Sequence, residues 1–104
     1  LSGIRRIVEY IEQHYDRDIR LGDIAAAAHM SEAYLSRFFR RVTGRGYKQY
    51  LDYVRTANAT LLMLRGMNVT QAAAACGFSS PQAMSRTYSR MMGFAPSALK
   101  CAKR

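Results

Sequence analysis

The sequence lacks the residues that several classes of protein require. Among its 104 residues are no tryptophan, two prolines, two cysteines and two histidines. Cys76 and Cys101 are too few for a disulfide framework and suit a reducing, cytoplasmic environment. His14 and His29 lie at no metal-ligand spacing from them, and no apolar run approaches the roughly 18 residues of a transmembrane helix. We therefore expect no metal site and no membrane contact.

Catalytic motifs are also missing. The sequence contains no Ser/His/Asp or Cys/His set and no glycine-rich phosphate loop. Nucleophilic catalysis needs a nucleophile with a base beside it, and nucleotide cofactors are commonly held by glycine-rich turns. We therefore expect a protein that is not an enzyme and that carries no cofactor.

Acidic residues are absent from the second half of the chain. The formal net charge is +9, and all seven acidic residues lie between positions 9 and 52. Residues 53–104 contain seven Lys or Arg and no Asp or Glu. Such an imbalance favours a polyanionic partner, although a solvated basic face is the simpler interpretation of charge alone.

The length is that of one domain, since 104 residues with 49% hydrophobic composition can bury one ordinary core. The chain begins Leu1-Ser2-Gly3 without a methionine. This predicts that the chain is an excised or processed piece of a protein that could also contain a separate ligand-binding domain.

Hydrophobic periodicity is helical along almost the whole chain, and no stretch alternates as a strand does. Ile4, Ile7, Val8 and Ile11 give the first amphipathic stripe. The pattern predicts an all-α fold of about seven helices, the last opening at residues 95–97. The longest, about 47–64, is expected to turn one apolar face inward: Tyr50, Leu51, Val54, Ala57, Leu61 and Leu64.

One pattern occurs twice. Ser36-Arg37 recurs as Ser85-Arg86, and Gly44 recurs as Gly93, each 49 positions later, whereas Ala25 recurs as Ala73 after 48. The second turn therefore holds one extra residue. A short helix, a tight turn and a longer helix form a helix-turn-helix unit. We predict two such units, about 4–45 and 68–104, joined by a linker helix of about 46–65.

The linker helix suggests how the two units would act together. At about 1.5 Å per residue it is roughly 27 Å long. Successive openings of the major groove on one side of B-DNA lie about 34 Å apart, and each admits one helix. One chain could therefore place two different recognition helices on one asymmetric duplex site.

Short motifs place the chain beside a known family. The stretches are Gly77-Phe78, Ser85-Arg86-x-Tyr88 and Gly93-x-Ala95-Pro96-Ser97, with Ser31-x-x-Tyr34-Leu35-Ser36-Arg37-x-Phe39 in the first unit. Across essentially all 104 residues the sequence resembles the DNA-binding domain of AraC/XylS bacterial transcription regulators. It departs from the family where Ala83 replaces tyrosine, Met84 and Tyr88 replace phenylalanine, Ala95 replaces threonine and Leu99-Lys100 replaces Tyr-Arg.

The resemblance implies sequence-specific binding of double-stranded operator DNA. Arg37 and Arg86 lie opposite the apolar stripes of their helices, and an arginine fork pairs bidentately with guanine O6 and N7. A solvated Arg37, or one paired with the helix of Glu32, is the alternative. The base contacts that the resemblance implies are Ala33, Ser36 and Arg37 in the first unit, and Gln82, Ser85 and Arg86 in the second.

A further set of polar residues is better suited to phosphates, which position a protein without specifying sequence. It combines basic side chains at the edges and ends of the helices with two serine caps. Its members are Ser31, Arg40, Arg41, Arg45, Lys48, Ser80 and Arg90.

The resemblance further implies activation through RNA polymerase, and a larger regulator that could dimerise through a domain outside this chain. Two alternatives stay open. One is a stand-alone small regulator of the same fold, and the other is a basic module that binds RNA or protein. RNA-binding domains usually display stacking aromatics. Most aromatics here lie on inward stripes, among them Phe38, Phe39, Phe78 and Tyr88.

Overall fold

The chain folds as a series of α-helices. A computed structural model describes residues 2–99, which form six helices and no strand. They are α1 (Ser2–His14), α2 (Leu21–Ala28), α3 (Glu32–Thr43), α4 (Tyr47–Leu64), α5 (Val69–Ala75) and α6 (Pro81–Met92). The predicted all-α class is confirmed. Where a seventh helix was predicted, the described residues show a turn at 96–97 and two helical residues, Ala98 and Leu99.

The described residues divide into two compact units between Leu51 and Asp52, inside α4. The first unit contains α1, α2 and α3, with α2 packed against both of the others. Isoleucines, a leucine and an aromatic ring fill its core, as the helical period predicts. The buried side chains are Ile7, Ile11, Ile24, Leu35 and Phe39.

The second unit contains α5 and α6 packed together, with the remainder of α4. Its core has small side chains on α5 and large ones on α6, because alanines let two helix backbones approach closely and the larger side chains fill the space. The buried residues from these two helices and the end of α5 are Ala72, Ala73, Cys76, Met84 and Tyr88.

The inward face of α4 differs from the predicted one. Leu51 and Val54 are buried as expected, but Leu61 is 53% exposed and Leu64 is 45% exposed. The buried positions that follow Val54 are Thr56, Ala59 and Met63. Threonine can occupy a core when its hydroxyl finds an acceptor, so apolar spacing alone placed the stripe wrongly on this helix.

None of the helices within residues 2–99 has the length and apolar character needed to cross a membrane. The same residues contain no group of three or more His, Cys, Asp or Glu side chains that could hold a metal ion.

Candidate nucleic-acid interface

The helices α3 and α6 begin in the same way. The Ser31 hydroxyl accepts a hydrogen bond from the Tyr34 backbone N–H at 3.1 Å, and the Ser80 hydroxyl accepts one from the Ala83 N–H at 3.0 Å. Each serine is thus an N-cap, and its own O–H can still donate to an anion. Pro81 at the first position of α6 leaves no orphan N–H there.

Both helices also end in the same way. Gly44 and Gly93 adopt left-handed backbone angles, with φ of 80° and 84°. Their N–H groups donate to the carbonyls of Arg40 and Ser89 at 2.8 and 3.0 Å. Glycine carries no Cβ penalty in this region, so it stops a helix readily. Identical caps give α3 and α6 the same length, 12 residues each.

The face of α3 opposite its buried side chains is polar and open. Leu35 and Phe39 are fully buried. On the other side, Ala33 and Arg37 are exposed and Ser36 is half-buried. Residues four apart lie one above the other on a helix, so Ala33 and Arg37 form the centre of this exposed face.

The corresponding face of α6 carries more hydrogen-bonding groups. Met84 and Tyr88 are fully buried, while Gln82 and Arg86 are exposed and Ser85 is half-buried. Gln82 occupies the position that Ala33 has in α3. The two faces are therefore equivalent in placement and different in chemistry.

Arg37 and Arg86 have no hydrogen bond or ion pair with any other residue in the described part of the chain. Glu32, the acid nearest to Arg37 in sequence, is directed elsewhere. Its Oε2 lies beside Gly22, near enough that a Cβ on this glycine would be 3.0 Å away. Gly22 is the second residue of α2, where the positive end of the helix dipole attracts a carboxylate.

Several of the residues predicted to contact phosphates lie at the ends and edges of the two helices. Arg40 places its Nη2 beside Gly46, 3.1 Å from where a Cβ would stand, and the Arg41 guanidinium lies over the Phe38 ring at 5.8 Å from its centroid. Contacts of this kind restrict long side chains that would otherwise be mobile. The other members are exposed at Ser31, Arg45 and Lys48 and half-buried at Ser80.

Among the basic residues predicted to contact phosphates, Arg90 alone has an acidic partner within residues 2–99. Its Nη2 donates to Asp52 Oδ2 at 3.0 Å. The pairing joins α6 to α4 across 38 positions of sequence, so periodicity could not have predicted it. One signal was available, because Asp52 is the only acidic residue after Glu32.

Tyr34, like Asp52, is a residue that the sequence alone did not assign to the candidate interface. It lies on α3 with 43% of its surface exposed, and its ring stacks on Phe38 at a centroid distance of 5.7 Å. The stack places a phenol at the edge of the exposed face. The Phe38 ring thus contacts both Tyr34 and the guanidinium of Arg41.

The charge of the two units differs. Residues 1–51 contain nine Lys or Arg and six Asp or Glu, whereas residues 52–104 contain seven Lys or Arg and one Asp. The unit that contains α6 therefore has the greater excess of positive charge, and its exposed helical face lies in an almost acid-free part of the chain. Such a surface attracts a polyanion.

A family profile described as a helix-turn-helix domain matches residues 24–101. An uncharacterised HTH-type transcriptional regulator of Staphylococcus aureus (strain MSSA476) is 30% identical over 86 residues. These residues make up 82% of this chain and 12% of that protein. The chain thus corresponds to a small part of the length of this relative.

Solved structures share both sequence and fold. The DNA-binding domain of AdpA, a global transcriptional factor solved in complex with a target DNA, is 31% identical with a TM-score of 0.83. The match covers 94% of this chain and 89% of that domain. A probable AraC family transcriptional regulator from Rhodopseudomonas palustris is 29% identical with a TM-score of 0.88, and the match covers 100% of this chain and 99% of that one.

Proposed function

Since this chain belongs to the AraC-type family of helix-turn-helix DNA-binding domains, we propose that it binds one asymmetric operator by inserting α3 and α6 into successive major grooves. The observation that carries the proposal is the equivalence of the two helices. Each has a serine N-cap, a glycine stop and an exposed arginine on the face opposite its buried stripe. The two units of this proposal span about 4–45 and 68–104, with α4 as the connection.

Direct base contacts are assigned to the centre of each exposed face. Arg37 and Arg86 are exposed and unpaired within the described residues, so their guanidinium groups are available for guanine. Gln82 can pair with adenine N6 and N7, whereas Ala33 can contact only a thymine methyl group. The flanking half-buried serines complete the set of Ala33, Ser36, Arg37, Gln82, Ser85 and Arg86.

Phosphate contacts are assigned to the edges and ends of the same helices. The caps supply hydroxyl and backbone donors, and the basic side chains supply charge. The residues proposed for this role are Ser31, Arg40, Arg41, Arg45, Lys48, Ser80 and Arg90. The AdpA domain, which was solved in complex with a target DNA, supports DNA as the ligand.

The proposal extends to the protein from which the domain comes. A bacterial regulator with a separate effector domain, acting in the cytoplasm as an activator in contact with RNA polymerase, fits the family. Dimerisation would then occur through that other domain. The 12% coverage of the Staphylococcus aureus relative supports a larger regulator.

Titration of the chain with labelled duplexes at about 50 and 200 mM salt tests the proposed function. The expected result is preference for one duplex over shuffled ones, together with a steep loss of affinity as salt rises. Five basic residues are assigned to phosphates, so the slope of log K against log salt should be about −4 to −5. Equal affinity for all duplexes, or tighter binding to single-stranded RNA, would leave only a generic basic module.

A further inference from the structure

Arg41 and Arg90 occupy equivalent positions, 49 residues apart, each nine residues after the first residue of its helix. Each guanidinium is held by a neighbouring group. The Phe38 ring lies under Arg41 at 5.8 Å, and Asp52 accepts a hydrogen bond from Arg90 at 3.0 Å. Both helices therefore have a restrained arginine at the same position, and the group that restrains it is an aromatic ring in α3 and a carboxylate in α6.

The second helix cannot restrain its arginine as the first one does. Thr87 stands where α3 has Phe38, and Ala83 stands where α3 has Tyr34. Neither side chain offers an aromatic face to a guanidinium. The group that holds Arg90 comes instead from α4.

Asp52 lies on the face of α4 that contacts α6. Together with Thr56 and Thr60 it forms a row of residues four positions apart on that face. The Thr56 hydroxyl lies 3.7 Å from Met91 Sδ, and the Thr60 hydroxyl lies 2.7 Å from the Tyr88 hydroxyl. The Asp52 side chain is only 29% exposed. The carboxylate is thus a well-positioned anchor for Arg90.

Arg90 remains able to bind a second anion. Its side chain is 62% exposed, and its described pairing uses one Nη2 donor of the five N–H donors of a guanidinium. The Arg90 side chain of this ion pair is largely exposed, and exposed ion pairs contribute little to folding stability. A contribution to stability therefore does not by itself explain why Asp52, the only acid of residues 52–104, pairs with Arg90.

We propose that Asp52 is a positioning residue, which orients the Arg90 guanidinium so that it donates to a backbone phosphate at the edge of α6. The inference rests on the proposed function. A restrained arginine loses less side-chain freedom when it binds phosphate. The Asp52 charge opposes this gain, because a carboxylate near the duplex repels phosphate. The two effects have opposite signs, so they can be separated experimentally.

A double-mutant cycle of the full chain on one preferred duplex separates them. The four proteins are the wild type, D52N, R90A and D52N/R90A. In the R90A background, D52N removes only the repulsive charge and should tighten binding. In the wild-type background D52N also releases Arg90. The ratio of Kd with D52N to Kd without it should therefore be higher in the wild-type background than in the R90A background, by about twofold or more.

Salt dependence gives an independent measure of the same contact. R90A should reduce the steepness of the slope of log K against log salt by about 0.9, the value of one phosphate contact. D52N should reduce it in the wild-type background and leave it unchanged in the R90A background. Asp18→Asn removes an acid 85% exposed outside the interface and serves as the charge-matched control.

Three results overturn the proposal. The first is an equal effect of D52N in both backgrounds, and the second is tighter binding by D52N only when Arg90 is present, which would make Asp52 a competitor of the phosphate. The third is an R90A variant with unchanged affinity and slope. Thermal unfolding of all four proteins verifies that each is folded. If the wild type shows no preference among duplexes, the proposed function fails before the cycle begins.

Discussion

At the scale of single residues, the core of the second unit depends on hydroxyl groups. The Thr60 hydroxyl donates to the Thr56 carbonyl at 2.9 Å, which leaves the Tyr88 hydroxyl to donate to Thr60 at 2.7 Å. Tyr88 is completely buried, so this is the contact that satisfies its polar end. A buried polar group costs free energy unless it is hydrogen-bonded.

Replacing Thr60 with valine should therefore lower the free energy of unfolding by about 1–3 kcal/mol, because the Tyr88 hydroxyl loses its partner. Urea denaturation of the variant measures the loss. Tyr88→Phe removes the hydroxyl itself and should cost less. The double variant should lose less unfolding free energy than the sum of the losses in the two single variants. Strict additivity would contradict the pairing of Thr60 with Tyr88.

Replacing Arg86 with alanine should cost about 1–3 kcal/mol in binding and relax specificity at one base position. The reason is that its guanidinium is proposed to donate to a single guanine. Affinities for a preferred duplex and its single-base variants measure the effect. Arg65→Ala, an exposed basic residue of the same unit outside the interface, is the matched control. A uniform loss across all duplexes would make Arg86 a phosphate contact.

At the scale of elements, the two helix-turn-helix turns share one hydrogen-bond pattern. The Met30 N–H donates to the Ala25 carbonyl at 2.9 Å, and the Phe78 N–H donates to the Ala73 carbonyl at 3.0 Å. These four residues keep the 48-residue offset, and the serine caps that follow keep 49. The extra residue predicted in the second turn therefore lies between Phe78 and the cap, at Ser79.

In each pair, a residue in the turn after the first helix is in the left-handed region. Gly77 has φ of 86°, and its counterpart His29 has φ of 59°. A residue with a Cβ is strained there, and glycine is favoured. The sequence considered alone gave His29 no role beyond the absence of metal-ligand spacing. Its backbone angle gives this position a specific energetic cost.

His29→Gly should raise the free energy of unfolding by about 0.5–1 kcal/mol, since relief of the left-handed strain exceeds the extra entropy that glycine brings to the unfolded chain. Thermal or urea unfolding measures the gain. Gly44→Ala is the opposite test at φ of 80°, where nothing lies within 4 Å of an added Cβ. It should destabilise by about 1 kcal/mol. A loss of stability in H29G would contradict the strain.

Helix positions, caps and the repeat could be predicted from the sequence because they depend on local signals. Ser31, Ser80 and the two stop glycines act within one turn of chain. The buried face of α4 could not, because apolar residues at helical spacing do not show which side has a partner. Leu61 and Leu64 remain exposed, while Thr56 is buried where its hydroxyl faces Met91.

In the candidate interface, too, some features could be predicted from local patterns and others could not. The exposed positions of Arg37 and Arg86 follow from the stripe opposite them, and the structure places both as expected. The ion pair of Arg90 and the stack of Tyr34 on Phe38 depend on contacts between side chains. The first of these joins residues 38 positions apart, and no local pattern encodes that contact.

At the scale of the whole molecule, the excess of positive charge and the groups proposed to contact bases are both unevenly divided between the two units. Residues 52–104 hold seven basic residues and one acid, and most of the hydrogen-bonding groups proposed for bases lie on α6. In the first unit, nine basic residues are offset by six acids, and Ala33 stands where α6 has Gln82. We therefore expect α6 to supply the greater share of base discrimination.

Selection of bound sites from random duplex DNA tests the central claim most directly, with the wild type, R37A and R86A compared in parallel. Two short, dissimilar boxes about one helical turn apart should be enriched by the wild type. R86A should lose information in one box and R37A in the other, because each arginine contacts its own groove. No enrichment, or loss of the same positions in both variants, would contradict two independent recognition helices.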